Sequence, residues 1–484
     1  MRTKDLKILS YIYLILPIII FAIGWLKPII SVPVTLMLLT IIYLKFREKK
    51  DKAENIKFIK KRYIILIFLV LLIICITAGQ GNMFYQSYDW HWRNAIFRDL
   101  INMEWPVHYE NMDADLTYYI GFWMFPAAIA KIFLAFFGEN VAWVIGNIIA
   151  LLWCAIGILL TILWVFRLLK IKKKKDAIIA LIIFFGFSGL DILGVFILKN
   201  NLLSNYLHAE WWAYNFQFSS TITQLFWVYN QCVVSWLITM MFINEKKCNN
   251  YLLIILLCLP YGPLPFVGLI PLFAVRGIKY LIKSIKKHKI KEFFKDVFSI
   301  QNILALIAIL PIYYFYYTGN SATTSGGFRF DTAILNPQVI KYLLVFYILE
   351  VLVYAIFLVN KNKKDELIWV AVIELFFIPF FKIGNSIDFS MRASIPPLMI
   401  LTFYLIKYIK NAKLKDIKTI ILIVIFLIGT VTPILEYVRA INTIIENNKI
   451  DIVADDIKTF SNKELKDYQN FVSPSNSKFS YIKK

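Results

Sequence analysis

"YYIGFWMFPAAIAKIFLAFF", Tyr118–Phe137, decides how this chain is threaded. Twenty mostly apolar residues are enough to cross a bilayer as a helix. If they cross, "KIKKKK" (170–175) falls on the side of the weakly charged loops. If they do not, the loops at 1–7, 45–62, 167–175, 244–250, 276–298, 360–366 and 407–418 share one side. Those loops hold 36 of the chain's 53 Lys and Arg. Basic loops stay on the cytoplasmic side, so the segment is expected not to span. Pro126 and Lys131 in its middle agree with a helix lying at the outer interface or dipping into it.

The rest of the chain follows from that choice. Apolar residues make up 59% of 484, too much for a soluble domain to bury, so an all-α polytopic membrane protein is expected. The formal charge of +22 lies in short clusters between apolar runs, which argues against a nucleic-acid partner and for topology signals. Basic loops such as "KFREKKDKAENIKFIKKR" would also meet anionic membrane lipids. Five scattered Cys imply neither a disulfide framework nor a zinc site. The first apolar run is too long for a cleaved signal and is expected to be an uncleaved span. The wealth of Ile, Lys and Asn suggests a bacterium with an AT-rich genome.

Thirteen transmembrane helices are expected: 8–26, 28–46, 63–78, 141–166, 177–197, 221–243, 251–260, 264–275, 299–317, 338–359, 366–381, 389–409 and 417–435. The two short ones flank "PYGPLP" as a hairpin, because proline breaks helices and removes donors. The N-terminus would be cytoplasmic and the C-terminus extracytoplasmic in the cell membrane. Three regions result: a transmembrane hairpin with a basic loop (1–62), a membrane domain (63–435) with an outer loop at 79–140, and a short polar tail (436–484).

The outer loop stands apart from the rest. Between Gln80 and Thr117 it carries Asp89, Asp99, Glu104, Glu110, Asp113 and Asp115 against only Arg93 and Arg98. "WHWRNAIFRDLIN" reads as an amphipathic helix, with Trp92, Ile96 and Leu100 at helical spacing. Asp89 precedes it either as an ordinary N-cap or as a carboxylate held at the membrane surface for general-base or metal-ligand work. His91 could share a divalent ion with Asp89 or serve as a surface hydrogen-bonder.

This layout resembles the GT-C glycosyltransferases: a large first outer loop, an acid just beyond a span, then interfacial helices. The passage "FFGENVAWVIGNIIALLW" is similar to their run from interfacial helix to next span. The family's pair of adjacent acids is absent, since Asp89 stands beside Trp90. The resemblance implies a polyprenyl-phosphate-linked sugar as donor, an envelope acceptor, Asp89 as catalytic residue, and a cation near the carrier phosphate. The cofactor stays open; a divalent metal, if one is used, would be held by Asp89 and His91.

Two further stretches are polar enough to join such a site. In 205–231, Glu210, Trp211, Asn215, Gln217 and Gln231 would suit a sugar, with Trp212 beside them; the ordinary reading of the indoles is an aromatic belt. Gln224, Asn230 and Gln231 fall within or near a span, where amides need partners. In "FKIGNSIDFSMRASIPPLMIL", Lys382 and Arg392 would hold a phosphate, while Asp388 and Arg392 at i, i+4 would form an ion pair. Arg93 completes the expected substrate-binding set. "TSGGFRFD" (324–331), with Arg329 and Asp331, would be a lid or a plain connection. The broken hairpin at 251–275 favours the alternative of a transporter or flippase for an amphiphilic anion. The lack of an inverted repeat and the few ionisable groups inside spans (Asp191, Glu350 and Glu374 being the exceptions) count against it; a non-catalytic scaffold is the other alternative.

Overall fold

The computed structural model describes residues 1–48, 59–199, 206–213, 216–320, 326–328, 336–383, 388–412, 415–462 and 470–484. Nineteen α-helices carry the described chain. The first ten are α1 Thr3–Trp25, α2 Pro28–Arg47, α3 Lys61–Thr77, α4 Trp90–Asn102, α5 Gly121–Leu168, α6 Lys174–Gly186, α7 Asp191–Lys199, α8 Thr221–Asn244, α9 Tyr251–Leu256 and α10 Pro263–Lys286. The rest are α11 Ile290–Val297, α12 Ile300–Thr318, α13 Pro337–Tyr347, α14 Val353–Lys361, α15 Glu366–Phe377, α16 Asp388–Ala393, α17 Ile395–Lys410, α18 Ile417–Gly429 and α19 Val431–Asn447.

Among the described residues, nine helical stretches are long and apolar enough to cross a membrane. The protein is therefore a multi-pass helical membrane protein. Four of the thirteen expected crossings fall short of that length: α3, α9, α15 and the broken pair α16–α17. Proline accounts for two of the shortfalls. Pro379 follows α15, and Pro396–Pro397 at the start of α17 remove donors that would join it to α16. The expected short helix at 264–275 instead continues to Lys286 as α10, with Pro263 at its first position.

The opening segment forms the first arm of α5, which is a hairpin. Gly138, at φ 78° and ψ 177°, breaks the helix where only glycine sits without strain. The arms then run back along each other: Phe125 lies against Trp153, their rings tilted and 4.5 Å apart, and a Cβ on Gly146 would meet Ala130. The Phe125–Trp153 contact sets the start of the first arm beside the middle of the second. The first arm thus runs along only half of the second.

The bundle is centred on α8, which is buried along nearly its whole length, whereas α2 and α10 are mostly exposed. At Gly157 the second arm of α5 approaches α1 and α8 so closely that a Cβ would strike Tyr13 and Val233. A small antiparallel sheet joins β1 (His108–Tyr109), β2 (Ala114–Leu116) and β5 (Val472–Pro474), with Asp115 opposite both His108 and Ser473. A second pairs β3 (Gly326–Phe328) with β4 (Phe381–Ile383).

The tail is tied to the rest along its described length. Asn94 donates to the Ala454 carbonyl at 2.8 Å, Arg98 pairs with Asp455 at 2.7 Å, and the Phe460 N–H donates to Asp99 at 3.1 Å. Its last residues dock on the α1–α2 turn, where the Lys484 N–H donates to the Trp25 carbonyl and the Lys483 ammonium pairs with buried Asp115.

Candidate functional site

The start of α4 is held by a break in α8. At Val228 the backbone leaves helical geometry, and the Phe226 carbonyl accepts from the Trp90 indole at 2.9 Å and the Ser87 hydroxyl at 3.2 Å. Trp90 also stacks on Tyr229 at 4.6 Å. These contacts fix Asp89, which occupies the N-cap position but makes no side-chain cap bond. Its backbone is already helical there, an orientation unsuited to capping. The carboxylate instead accepts from Arg93 at 2.9 Å, one turn along. The capping expectation is corrected.

Arg93 is buried under the Tyr229 ring, 5.7 Å from its centroid. Only its Nη2 is spent on Asp89; Nε and Nη1 have no hydrogen-bond partner among the described residues. Arg392 repeats the pattern from the other end of the sequence. It pairs with Asp388 at 3.1 Å, is itself buried, and leaves Nε without a partner among the described residues. The two arginines share one electrostatic neighbourhood. Arg392 acts on the Tyr118 and Tyr119 phenols and on Asp89, and Arg93 acts on the same two phenols. Burial pushes both phenols above their ordinary pKa, so they stay neutral donors at pH 7. The Tyr118 hydroxyl bonds that of Tyr119.

Two guanidinium groups, each tethered by one carboxylate and each with a buried N–H unpaired among the described residues, have the donor chemistry to accept an oxyanion. An unmet buried donor costs about 1–3 kcal/mol, which an anionic ligand would recover. Asp89, whose side chain is 32% exposed, stands beside that receptor as an accessible base. Lower in the bundle, Asn230 and Gln231 are fully buried and neither amide finds a partner among the described residues. Gln231 lies against Gly262 of the "PYGPLP" turn.

The other expected residues lie elsewhere. His91 pairs with Asp456 of the tail rather than sharing a ligand point with Asp89. No group of three or more His, Cys, Asp or Glu able to hold a metal occurs among the described residues. With Asp89 tied to a guanidinium and His91 to another acid, this donor set does not fit a divalent ion. Glu210 is buried and accepts from the Ser220 N–H at 2.8 Å and the Gln217 amide at 2.7 Å, bracing the start of α8. Burial, then the charges of Asp191 and Glu436, push its carboxyl up to about 8. Trp211 is exposed and stacks on His208, whereas Trp212 is core, donating to Asp191 at 3.0 Å. The paired indole platform is thereby corrected to one exposed ring. Lys382 sits half-buried on β4, opposite Gly327. Asn215, Arg329 and Asp331 lie outside the described residues.

Sequence reasoning missed Tyr118, Tyr119 and Tyr229. The available signal was the Tyr–Tyr pair opening the segment quoted first, where a phenol suits the edge of a membrane. No family model matches the sequence, and no curated protein or solved structure matches it.

Proposed function

We propose that this protein is a membrane glycosyltransferase of GT-C layout, moving a sugar from a polyprenyl-phosphate carrier to an envelope acceptor at the outer membrane face. The observation that carries the reading is that Asp89 and Arg392, remote in sequence, lie within electrostatic range of each other, and that Arg392 and Asp89's partner Arg93 each keep a buried N–H with no partner among the described residues. Thirteen crossings with a cytoplasmic N-terminus belong to the same reading, supported by the distribution of Lys and Arg.

In this mechanism the bond from the sugar's anomeric carbon to the carrier phosphate breaks as the acceptor oxygen bonds to that carbon. Asp89 takes the acceptor's proton, and Arg392 with Arg93 holds the departing phosphate. The tyrosine hydroxyls are neutral donors beside it. No step needs a metal. The carrier's chain would lie against the helices, which explains why a transferase is mostly membrane.

A second reading, transport of an amphiphilic anion, is favoured by one observation. The chain breaks between α6 and α7 beside a π-helical turn at Ile348–Leu352, and there the buried carboxyls of Asp191 and Glu350 lie within electrostatic range of each other inside the bundle. Purified protein in liposomes separates the readings. Sugar transfer from labelled polyprenyl-phosphate hexoses supports the transferase. Movement of the lipid without chemistry supports the transporter, and neither leaves a scaffold.

A further inference from the structure

Helices α10 and α17 run from the arginine cluster to the opposite end of the bundle, roughly 20 Å away at 1.5 Å per residue. There, with the α14–α15 turn, they line an open surface cavity of about 690 Å³. Six cations line it: Arg276, Lys279, Lys361, Lys363, Lys364 and Lys407. Only two carboxylates, Asp365 and Glu366, oppose them.

Both carboxylates are already engaged. Glu366 serves Arg276, at 3.4 Å, and Lys279 together. Asp365 accepts from the Tyr404 hydroxyl and caps α15 through the Leu367 N–H at 3.4 Å. Lys361, Lys363, Lys364 and Lys407 therefore have no carboxylate partner among the described residues. Among the described residues Lys407 donates to the neutral Asn362 amide at 2.8 Å and lies over the Tyr404 ring, and Lys361 lies over the Tyr408 ring. Four positive charges converge on one concavity, held apart by the turn of the chain and not by counter-charges. Such a site takes a phosphate-bearing anion.

The walls say which kind. The helices that lead into the cavity carry exposed apolar residues: Ile278 and Ile282 on α10, Ile356 on α14 and Ile373 on α15. Trp369, exposed on the first turn of α15, fixes its indole to the Lys363 carbonyl at 3.1 Å. A tryptophan beside clustered lysines at the end of an apolar wall marks the headgroup level of a membrane. An anion bound here has hydrocarbon beside it, which suits a molecule with acyl chains better than a soluble one.

We infer that this cavity binds the phosphate headgroup of an anionic membrane phospholipid, with the acyl chains lying along α10 and α14. The site is separate from the arginine cluster and does not depend on the proposed transferase activity.

The test uses the full-length protein in neutral detergent micelles. Binding is read as the rise in thermal stability on adding phosphatidylglycerol, phosphatidylcholine or inorganic phosphate. Phosphatidylglycerol should bind saturably, and the other two should have little effect. In Lys363→Gln/Lys364→Gln, affinity for phosphatidylglycerol should fall roughly thirtyfold, at about fivefold per lysine facing an anionic surface. Lys287→Gln/Lys289→Gln, equal in charge loss but outside the cavity, should bind as the wild type does. Both double variants should be purified with wild-type stability in phosphatidylcholine. If the 363/364 variant is not, Lys407→Gln alone gives the same reading at about fivefold. Equal loss in both double variants would show general surface attraction and overturn the site. A response to inorganic phosphate matching that to phosphatidylglycerol would overturn the lipid as ligand.

Discussion

Arg392 illustrates what a single residue can be asked. Its ion pair with Asp388 is present, yet Nε, in a buried environment, has no partner among the described residues. If the fork holds phosphate, Arg392→Lys should raise the donor KM at least tenfold, because a point charge replaces aligned donors. Asp388→Asn should be milder, since it leaves the guanidinium in place. Were the pair only structural, Arg392→Lys would be nearly silent and Asp388→Asn as harmful as Arg392→Gln. Asp89 and Arg392 were legible as chemistry because each is a charged residue at the edge of an apolar run. Their meeting was not legible, since it depends on where α4 docks on the broken α8. His91 misled for the same reason: its partner, Asp456, comes from the tail.

Among the elements, the α5 hairpin makes the sharpest demand. The break between 137 and 141 could be read from the sequence, but its fold-back rests on Gly138, whose surroundings are open. Gly138→Ala should therefore destabilise by about 1–3 kcal/mol through backbone strain alone, with no steric clash to relieve. A thermal unfolding comparison with Glu139→Ala, beside it but free of that constraint, checks this. Asp99 anchors the tail to α4, and burial pushes its carboxyl up to about 6 despite the hydrogen bonds to it. A raised acid pKa means that the folded state binds the proton more tightly. Its contribution is complete below about pH 4 and is lost as pH rises through about 6, on the order of 2–3 kcal/mol. Hydrogen exchange of tail residues 452–462, corrected for intrinsic rate, should show protection falling over that window. In Asp99→Asn the slope should vanish.

At the scale of the whole molecule, the membrane class was legible from composition and the periodic apolar runs. The number of crossings was less so, because 3.6-residue periodicity says nothing of where proline will cut a helix short, as in α15 and α17. Orientation rests on charge, and it can be tested directly. Asn111, Lys173, Lys287 and Asn447 are all exposed, while the five native cysteines are buried. Single Cys at 111 and 447 should react with an impermeant thiol reagent in intact cells, and Cys at 173 and 287 only after permeabilisation. Labelling of 173 from outside would make Tyr118–Phe137 a crossing and reverse everything after it.

The central claim is that Asp89 does chemistry beside a phosphate-binding pair of arginines, and Asp89→Asn tests it most directly. An amide can still accept from Arg93, so the variant should fold, insert and bind the lipid donor. It has neither the charge nor the proton affinity of a base. Transfer from labelled polyprenyl-phosphate hexoses in liposomes should fall by about 10²–10⁴-fold, with donor binding changed by no more than a few-fold. Wild-type transfer rates in Asp89→Asn would contradict the account.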